Sequence, residues 1–271
     1  MTMINLSKLC LLLIWTLMVS SHGYAQDEGG SKADELAKKL QNPVASLISV
    51  PFQNNFDFGI GSENGFRYTL NFQPVIPLSI SENWNLIGRV IVPVISQNNV
   101  FGESGNQSGI SDVLLSGFFS PKEPTSGGLI WGIGPAILVP TATNNLLGTE
   151  KFGLGPTAVA LKQAGKTSFG VLINHIWSVA GNVDRANVNS TFFEPFIAQN
   201  FQGGKAISLN TELTQNWEAG LTSGTINLVG SKVLMFGNQA TQLAIGPRLH
   251  YGNGNAASWG IRAAFVLLFP K

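Results

Sequence analysis

The feature that most constrains this chain is a two-residue alternation that recurs in segments of about ten residues from Val44 to the end. In FRYTLNFQPV, Phe66, Tyr68, Leu70 and Phe72 alternate with Arg67, Thr69, Asn71 and Gln73. AISLNTELT sets Ile207, Leu209 and Leu213 against Ser208, Asn210, Glu212 and Thr214. QLAIGPRLHY and WGIRAAFVLLF repeat the pattern, the latter with Trp259, Ile261, Ala263, Phe265, Leu267 and Phe269 on one face and Arg262 on the other. Twelve such segments are expected, at 46–58, 66–77, 85–95, 110–120, 128–139, 152–162, 168–178, 191–201, 205–216, 225–236, 241–251 and 259–269. Alternation over 152–162, 168–178 and 225–236 is poor and leaves their registers open.

The connections alternate as well. SISENW, AGKTS, QGGK and GNQA are short and KEPTSGG is somewhat longer, whereas SQNNVFGESGNQSG, TATNNLLGTEK, AGNVDRANVNS and GNGNAAS are long or polar. A closed antiparallel barrel in an outer membrane accounts for this, with short turns on the periplasmic side and longer loops outside. A soluble sandwich has no reason to gather its long loops at one end. The expected fold is therefore all-β: a transmembrane antiparallel β-barrel of about 12 strands over 44–271, with an even strand count that leaves both termini in the periplasm.

Two further observations agree. Only 11% of the residues are charged, against about 25% in soluble domains. Lys8 precedes the apolar run LCLLLIWTLMV, which is followed by small residues up to Ala25, so 1–25 reads as a cleaved signal peptide. Its removal takes away Cys10 and Lys8 and leaves 15 of the 16 basic residues to balance 15 acidic ones. Disulfides, thiolate metal sites and nucleic-acid binding are not expected. No metal or other cofactor is implied. The lead at 26–43 carries ADELAKKLQ, ended by Pro43, and reads as a short periplasmic helix with Ser31 and Asp34 as a capping box.

Some motifs mislead. Gly165-Lys166-Thr167 lacks the glycine a phosphate loop needs at 160, which is Ala160, and a strand-like segment follows it rather than a helix. Gly132-x-Gly134 and Gly153-x-Gly155 lack the third glycine of a dinucleotide fingerprint. A lipid hydrolase on the barrel wall needs a serine within reach of a histidine. His175 and Ser178 point to opposite faces, and His250 has no lipid-facing serine beside it, so no enzymatic role is expected.

NPVASLISVPFQNNFDFG at 42–59, GPAILVPTATNNLLGTEKFGLGPTAVAL at 134–161, NHIWSVAG at 174–181 and EPF at 194–196 resemble a group of bacterial outer-membrane transporters. This is the phenol-degradation meta-pathway type, some members of which are labelled neuromedin U. The resemblance spans nearly the whole mature chain. It implies a Gram-negative outer-membrane barrel and hints at aromatic or other hydrophobic solutes. The chain departs from many barrels in ending on Pro270-Lys271, which leaves Phe269 to act as the terminal aromatic used in assembly.

Alternation also assigns charges to the lumen, because Arg or Lys facing lipid at mid-depth costs roughly 2–4 kcal/mol. The expected lumen residues are Asp57, Arg67, Arg89, Asp112, Glu194, Glu212, Arg248, His250 and Arg262. In that register the arginines line one wall with acids opposite, Asp57 excepted, mostly in the outer half. Such a lumen is expected to pass small polar or amphipathic solutes by diffusion. A plugged lumen, or an adhesive role through the loops at 96–109, 140–151 and 179–190, is the alternative. The expected partners are outer-membrane lipid and lipopolysaccharide, a small-molecule solute, and the barrel-assembly machinery during biogenesis. GIGP, GLGP and AIGP place Pro135, Pro156 and Pro247 inside strands, where a proline is expected to mark a bulge or kink.

Overall fold

The computed structural model describes residues 27–101, 105–254 and 257–270. The expected signal peptide lies outside them. One helix, α1 (Asp27–Leu40), precedes fourteen strands: β1 (Leu47–Ile60), β2 (Gly65–Phe72), β3 (Val75–Ser79), β4 (Trp84–Asn98), β5 (Asn106–Ile110), β6 (Val113–Pro121), β7 (Leu129–Val139), β8 (Lys151–Ala164), β9 (Thr167–Gly181), β10 (Asn189–Phe201), β11 (Lys205–Asn216), β12 (Leu221–Phe236), β13 (Gln239–Tyr251) and β14 (Trp259–Pro270). β2 with β3, and β5 with β6, are single staves each broken by two residues, so the sheet is a twelve-stave antiparallel barrel. β14 closes it against β1 in unbroken register from Leu47↔Pro270 to Phe58↔Trp259. Phe269 therefore sits in the closing seam opposite Ile48, its side chain outward and partly exposed.

The breaks have local causes. At 73–74 the amide of Gln73 bonds back to the Pro51 carbonyl, while Pro74 has no amide to give and accepts instead from Val90. At 111–112 the stave opens so that the loop at 140–150 folds against it. Asp112 accepts from the Ala142 amide at 3.2 Å and from the Thr149 amide and hydroxyl at 2.6 Å each. Thr141 Oγ1 and Thr143 Oγ1 receive the amides of Val113 and Ile110.

One end of the barrel carries tight turns, at 165–166, 202–204 and 237–238; the other carries the loops. The loops are shorter than the sequence suggests. Residues 96–98, 106–109, 179–181 and 189–190 continue as strand; between the first two, amide side chains also bond across the ladder, Gln97 donating to Gln107 at 3.0 Å and Asn98 bonding Asn106. The strand segments with weak alternation are ladders too, regular but for one register shift at Phe152/Gly153. Their poor contrast has a physical source, since glycines and small residues hold lumen positions there, as at Gly153, Gly155 and Gly170.

The prolines correct an expectation. No bulge forms at Pro135, Pro156 or Pro247, and the register beyond each is unshifted. Register irregularities fall instead at Phe58/Ile60 and Phe152/Gly153. Each proline keeps one ladder and interrupts the other. The carbonyl left without an amide partner belongs to Gly117, His175 or Leu228 and lies on the lumen side, over the glycine preceding the proline. A Cβ on Gly134, Gly155 or Gly246 would stand 1.8, 1.7 or 1.9 Å from those oxygens. The Gly-Pro pair thus tilts an orphaned carbonyl toward the water-facing side of the wall without slipping the register.

Helix α1 starts at or before Asp27, so Ser31 lies within it rather than capping it. Asp34 serves in a different place, accepting the Gly204 amide at 2.6 Å. Ala33, Leu36 and Ala37 pack on Leu47, Val233, Ala240, Val266 and Leu268, which face inward at the turn end. Gln163 also donates to the Lys38 carbonyl at 2.9 Å. The helix is seated in the turn-side mouth of the barrel. Among the described residues no helix is long and apolar enough to cross a membrane.

Candidate functional site

A chamber of about 560 Å³ occupies the lumen. Its floor is the lead segment, from Lys39 to Pro43 and Ala45, and the wall rises from Leu47 and Val266 to Asp57 and Arg67. Side-chain alternation alone decides what enters it. β1 presents Ser49, Pro51, Gln53, Asn55 and Asp57 inward, while Phe52, Phe56 and Phe58 face out and meet Phe72, Tyr68 and Phe66 ring to ring.

Seven of the nine lumen residues expected from sequence line this chamber: Asp57, Arg67, Arg89, Glu194, Glu212, Arg248 and Arg262. His250 is beside it, on the lumen face, with Nε2 2.9 Å from Asp57 Oδ1 and Nδ1 3.0 Å from Thr225 Oγ1. Asp112 is buried and faces inward but is spent on the loop at 140–150, so it is no lumen charge in the functional sense. Arg89 lies rung to rung with Val75 and, through it, Ser49, in the turn-side half of β1 rather than the outer half.

The charges do not stand as two opposed walls; many of them join. Arg262 donates from Nη1 and Nη2 to the two oxygens of Glu212 at 2.8 and 3.0 Å, and from Nε to Asn55 at 2.8 Å. This forked geometry is the strongest pairing open to a guanidinium. Arg248 bridges Asp57 at 3.3 Å and Glu212 at 3.8 Å, while its buried Nε and Nη1 form no hydrogen bond. Glu194 lies opposite Glu212 where the β10–β11 ladder is interrupted between Phe193↔Leu213 and Phe196↔Asn210, and it accepts from Asn210 at 2.5 Å. Two carboxylates opposite one another repel, and the Arg262 guanidinium bound to Glu212 offsets this.

Arg67 and Arg89 differ from the other two arginines. Arg67 donates to Gln97 and Arg89 to Gln73, each at 2.7 Å, and neither forms an ion pair among the described residues. Both keep partial exposure to the lumen.

The opposite side of the lumen is apolar. Val44, Ile87, Phe118, Val159, Leu161 and Leu172 form a buried cluster, with Phe192 and Phe196 against it. Val44 comes from the lead and packs over Gly132, where a Cβ would meet Val44 and Phe118 at 3.2 Å each. Sequence reasoning missed this cluster as part of the site. The signal was present, since Phe118, Leu172, Phe192 and Phe196 all fall on the face that carries polar residues elsewhere in the same strands.

His175 faces outward, ring to ring with Trp177 at 4.0 Å. Its Nδ1 lies 2.7 Å from the Thr191 hydroxyl, which also accepts from Trp217 at 2.8 Å. Its partner is thus a threonine engaged twice.

Among solved structures, the chain is similar to the crystal structure of an outer membrane channel from Pseudomonas putida F1, with TM-score 0.64 and 14% identity over 82% of this chain and 94% of that one. It also aligns with the β domain of the Bordetella autotransporter BrkA, at TM-score 0.44 and 12% identity over 83% and 100% of the two chains. A third alignment is with Pseudomonas putida OprB in its low-pH structure, at TM-score 0.31 and 11% identity over 92% and 99%. No family model matches the sequence, and no curated protein does.

Proposed function

We propose that this protein is a bacterial outer-membrane channel passing small solutes by diffusion through the barrel lumen. The observation that carries the reading is a closed barrel whose outward face is aromatic and aliphatic and whose inside is a charged chamber. Exposed Phe152, Leu154, Trp177, Phe193, Leu249 and Phe265 are tolerable in water only as an aggregation hazard, but they are what lipid requires. The likeness in fold to an outer membrane channel supports this reading. Outer-membrane lipid and lipopolysaccharide around the wall, and the barrel-assembly machinery acting on the closing strand β14, belong to the same proposal. So does the phenol-degradation type of transporter as the family, with aromatic or hydrophobic compounds as solutes.

Planar-bilayer recording tests it. Discrete openings of small conductance are expected from the folded protein, with an ion selectivity that shifts in Arg89→Ala and Arg248→Ala. The plugged alternative has one observation in its favour, the helix seated in the turn-side mouth. Silence from folded wild type and from a variant lacking 26–43 would sink the channel reading and leave a structural barrel.

A further inference from the structure

Resting on the reading of the lumen as a solute path, we propose that the chamber is a binding site for a small amphipathic carboxylate. Its anionic group docks on Arg89 and its apolar body lies against Leu172, Phe192 and Phe196. Four arginines face three carboxylates around the chamber, so the arginines exceed the acids by one (4 − 3 = 1). The excess is not shared evenly. Arg248 and Arg262 are committed to Asp57 and Glu212, whereas Arg89 is held only by the neutral Gln73 amide. A partly exposed guanidinium oriented by an amide, with no carboxylate in direct contact among the described residues, is poised for an incoming carboxylate.

The rest of the ligand follows from what faces Arg89. Ile91 shares its face of β4, and Leu172, Phe192 and Phe196 line the same chamber. A neutral hydrocarbon would leave the guanidinium without a partner, and a compact polar anion would leave the aromatic wall wet. A ligand with both parts satisfies both surfaces, and about 560 Å³ suits a body the size of one aromatic ring with a short chain. Glu194 and Glu212 act on Arg89 only from across the lumen: among the described residues neither carboxylate is in ion-pair contact with it, so no acid of the wall touches its guanidinium.

Calorimetry on the full barrel in lipid nanodiscs, with protein-free discs as the blank, tests this with 3-phenylpropionate against 3-phenylpropanamide. The acid is expected to bind at least about tenfold more tightly than the amide, the scale of one charged hydrogen-bonding partner. Arg89→Gln should remove that preference, bringing acid and amide to similar affinity. Gln73→Glu should do the same by supplying Arg89 with a carboxylate of its own through the existing contact, and it decides the matter if Arg89→Gln does not fold. Equal affinity for acid and amide, or a preference that survives Gln73→Glu, overturns the site. Because no current is measured, a folded barrel that binds but does not conduct would sink only the channel reading. One that conducts without preferring the acid sinks only the carboxylate site.

Discussion

The two halves of the lumen are filled in opposite ways. From β11 through β14 to β1, the wall fills the space with its own long side chains: Glu212, Arg248, Arg262, Asn55 and Asp57 reach one another and lock. From β7 to β9 the wall is floored with glycines, and Phe118 and Val44 of the lead sit over one of them, Gly132. The first filling is covalently part of the wall and cross-linked by charge. The second depends partly on a segment that enters from the turn end and is held there by apolar contact. A path through this barrel is therefore expected along the glycine-floored half, and the charged half supplies its fixed, polar edge.

Breaking the charged half should have the largest effect. Arg262→Met leaves Glu212 with only the loose Arg248 contact while Glu194 still faces it, and removing one partner of a buried pair costs about 3–5 kcal/mol. Denaturant titration of the reconstituted barrel measures it. Glu212→Gln combined with Arg262→Gln should recover a large part of the loss, since no carboxylate is then stranded. If the double variant is as unstable as the single one, the locked network is not what holds this half.

Next in size is the seat of the lead. Leu36 is 2% exposed and packs on the inward face of β12 and β14, so Leu36→Ala should cost about 2–5 kcal/mol of helix docking. The barrel's own unfolding should move far less than the docking does. Protease accessibility of the lead and open-state conductance should both rise. A variant with a loosened lead and unchanged conductance would show that the glycine-floored half is not the path.

Within that half, Gly155→Ala drives a Cβ to 1.7 Å from the His175 carbonyl, whereas Gly230→Ala on β12, in the other half, meets nothing nearer than the Ile245 carbonyl at 3.9 Å. The first should destabilise by about 1–3 kcal/mol as an overpacked position, and the second should be close to neutral. Equal effects would mean that the tilted carbonyl beside Pro156 moves freely and the glycine has no steric role.

The wall was legible in sequence because alternation is a local property: each stave declares its two faces without reference to its neighbours. The lumen position of Arg248 or Glu212 follows from that rule alone. Which charge meets which does not, since Arg262 and Glu212 are fifty residues apart and join only after closure of β14 on β1. Asp112 was misread for a related reason. It has the right face, but its partner is a loop backbone that no periodicity describes. The Gly-Pro pairs were read as bulges because proline's missing amide is visible in sequence. The free space over the preceding glycine, which lets the orphaned carbonyl tilt and keeps the register, appears only with the neighbouring strand in place.

The smallest expected effect concerns how the lead stays in its seat at low pH. On α1, Glu35 bonds Lys39 one turn on, at 2.7 Å. That hydrogen bond and the ammonium charge hold the Glu35 carboxyl below its ordinary range. A carboxylate depressed in the docked helix contributes its stability above the pKa of the free side chain and loses it as pH falls through the lowered value. Both side chains are largely exposed, so solvent screening limits the pair to a few tenths of a kcal/mol. Docking of the lead should therefore weaken only slightly on acidification, and Glu35→Gln should abolish that small slope. Protease accessibility of the lead, followed from neutral pH to about pH 3 in wild type and Glu35→Gln, reads it directly. A steep acid release that survives Glu35→Gln would move the control of the lead from its own surface to the Asp34 contact with Gly204 or to the charged half of the lumen.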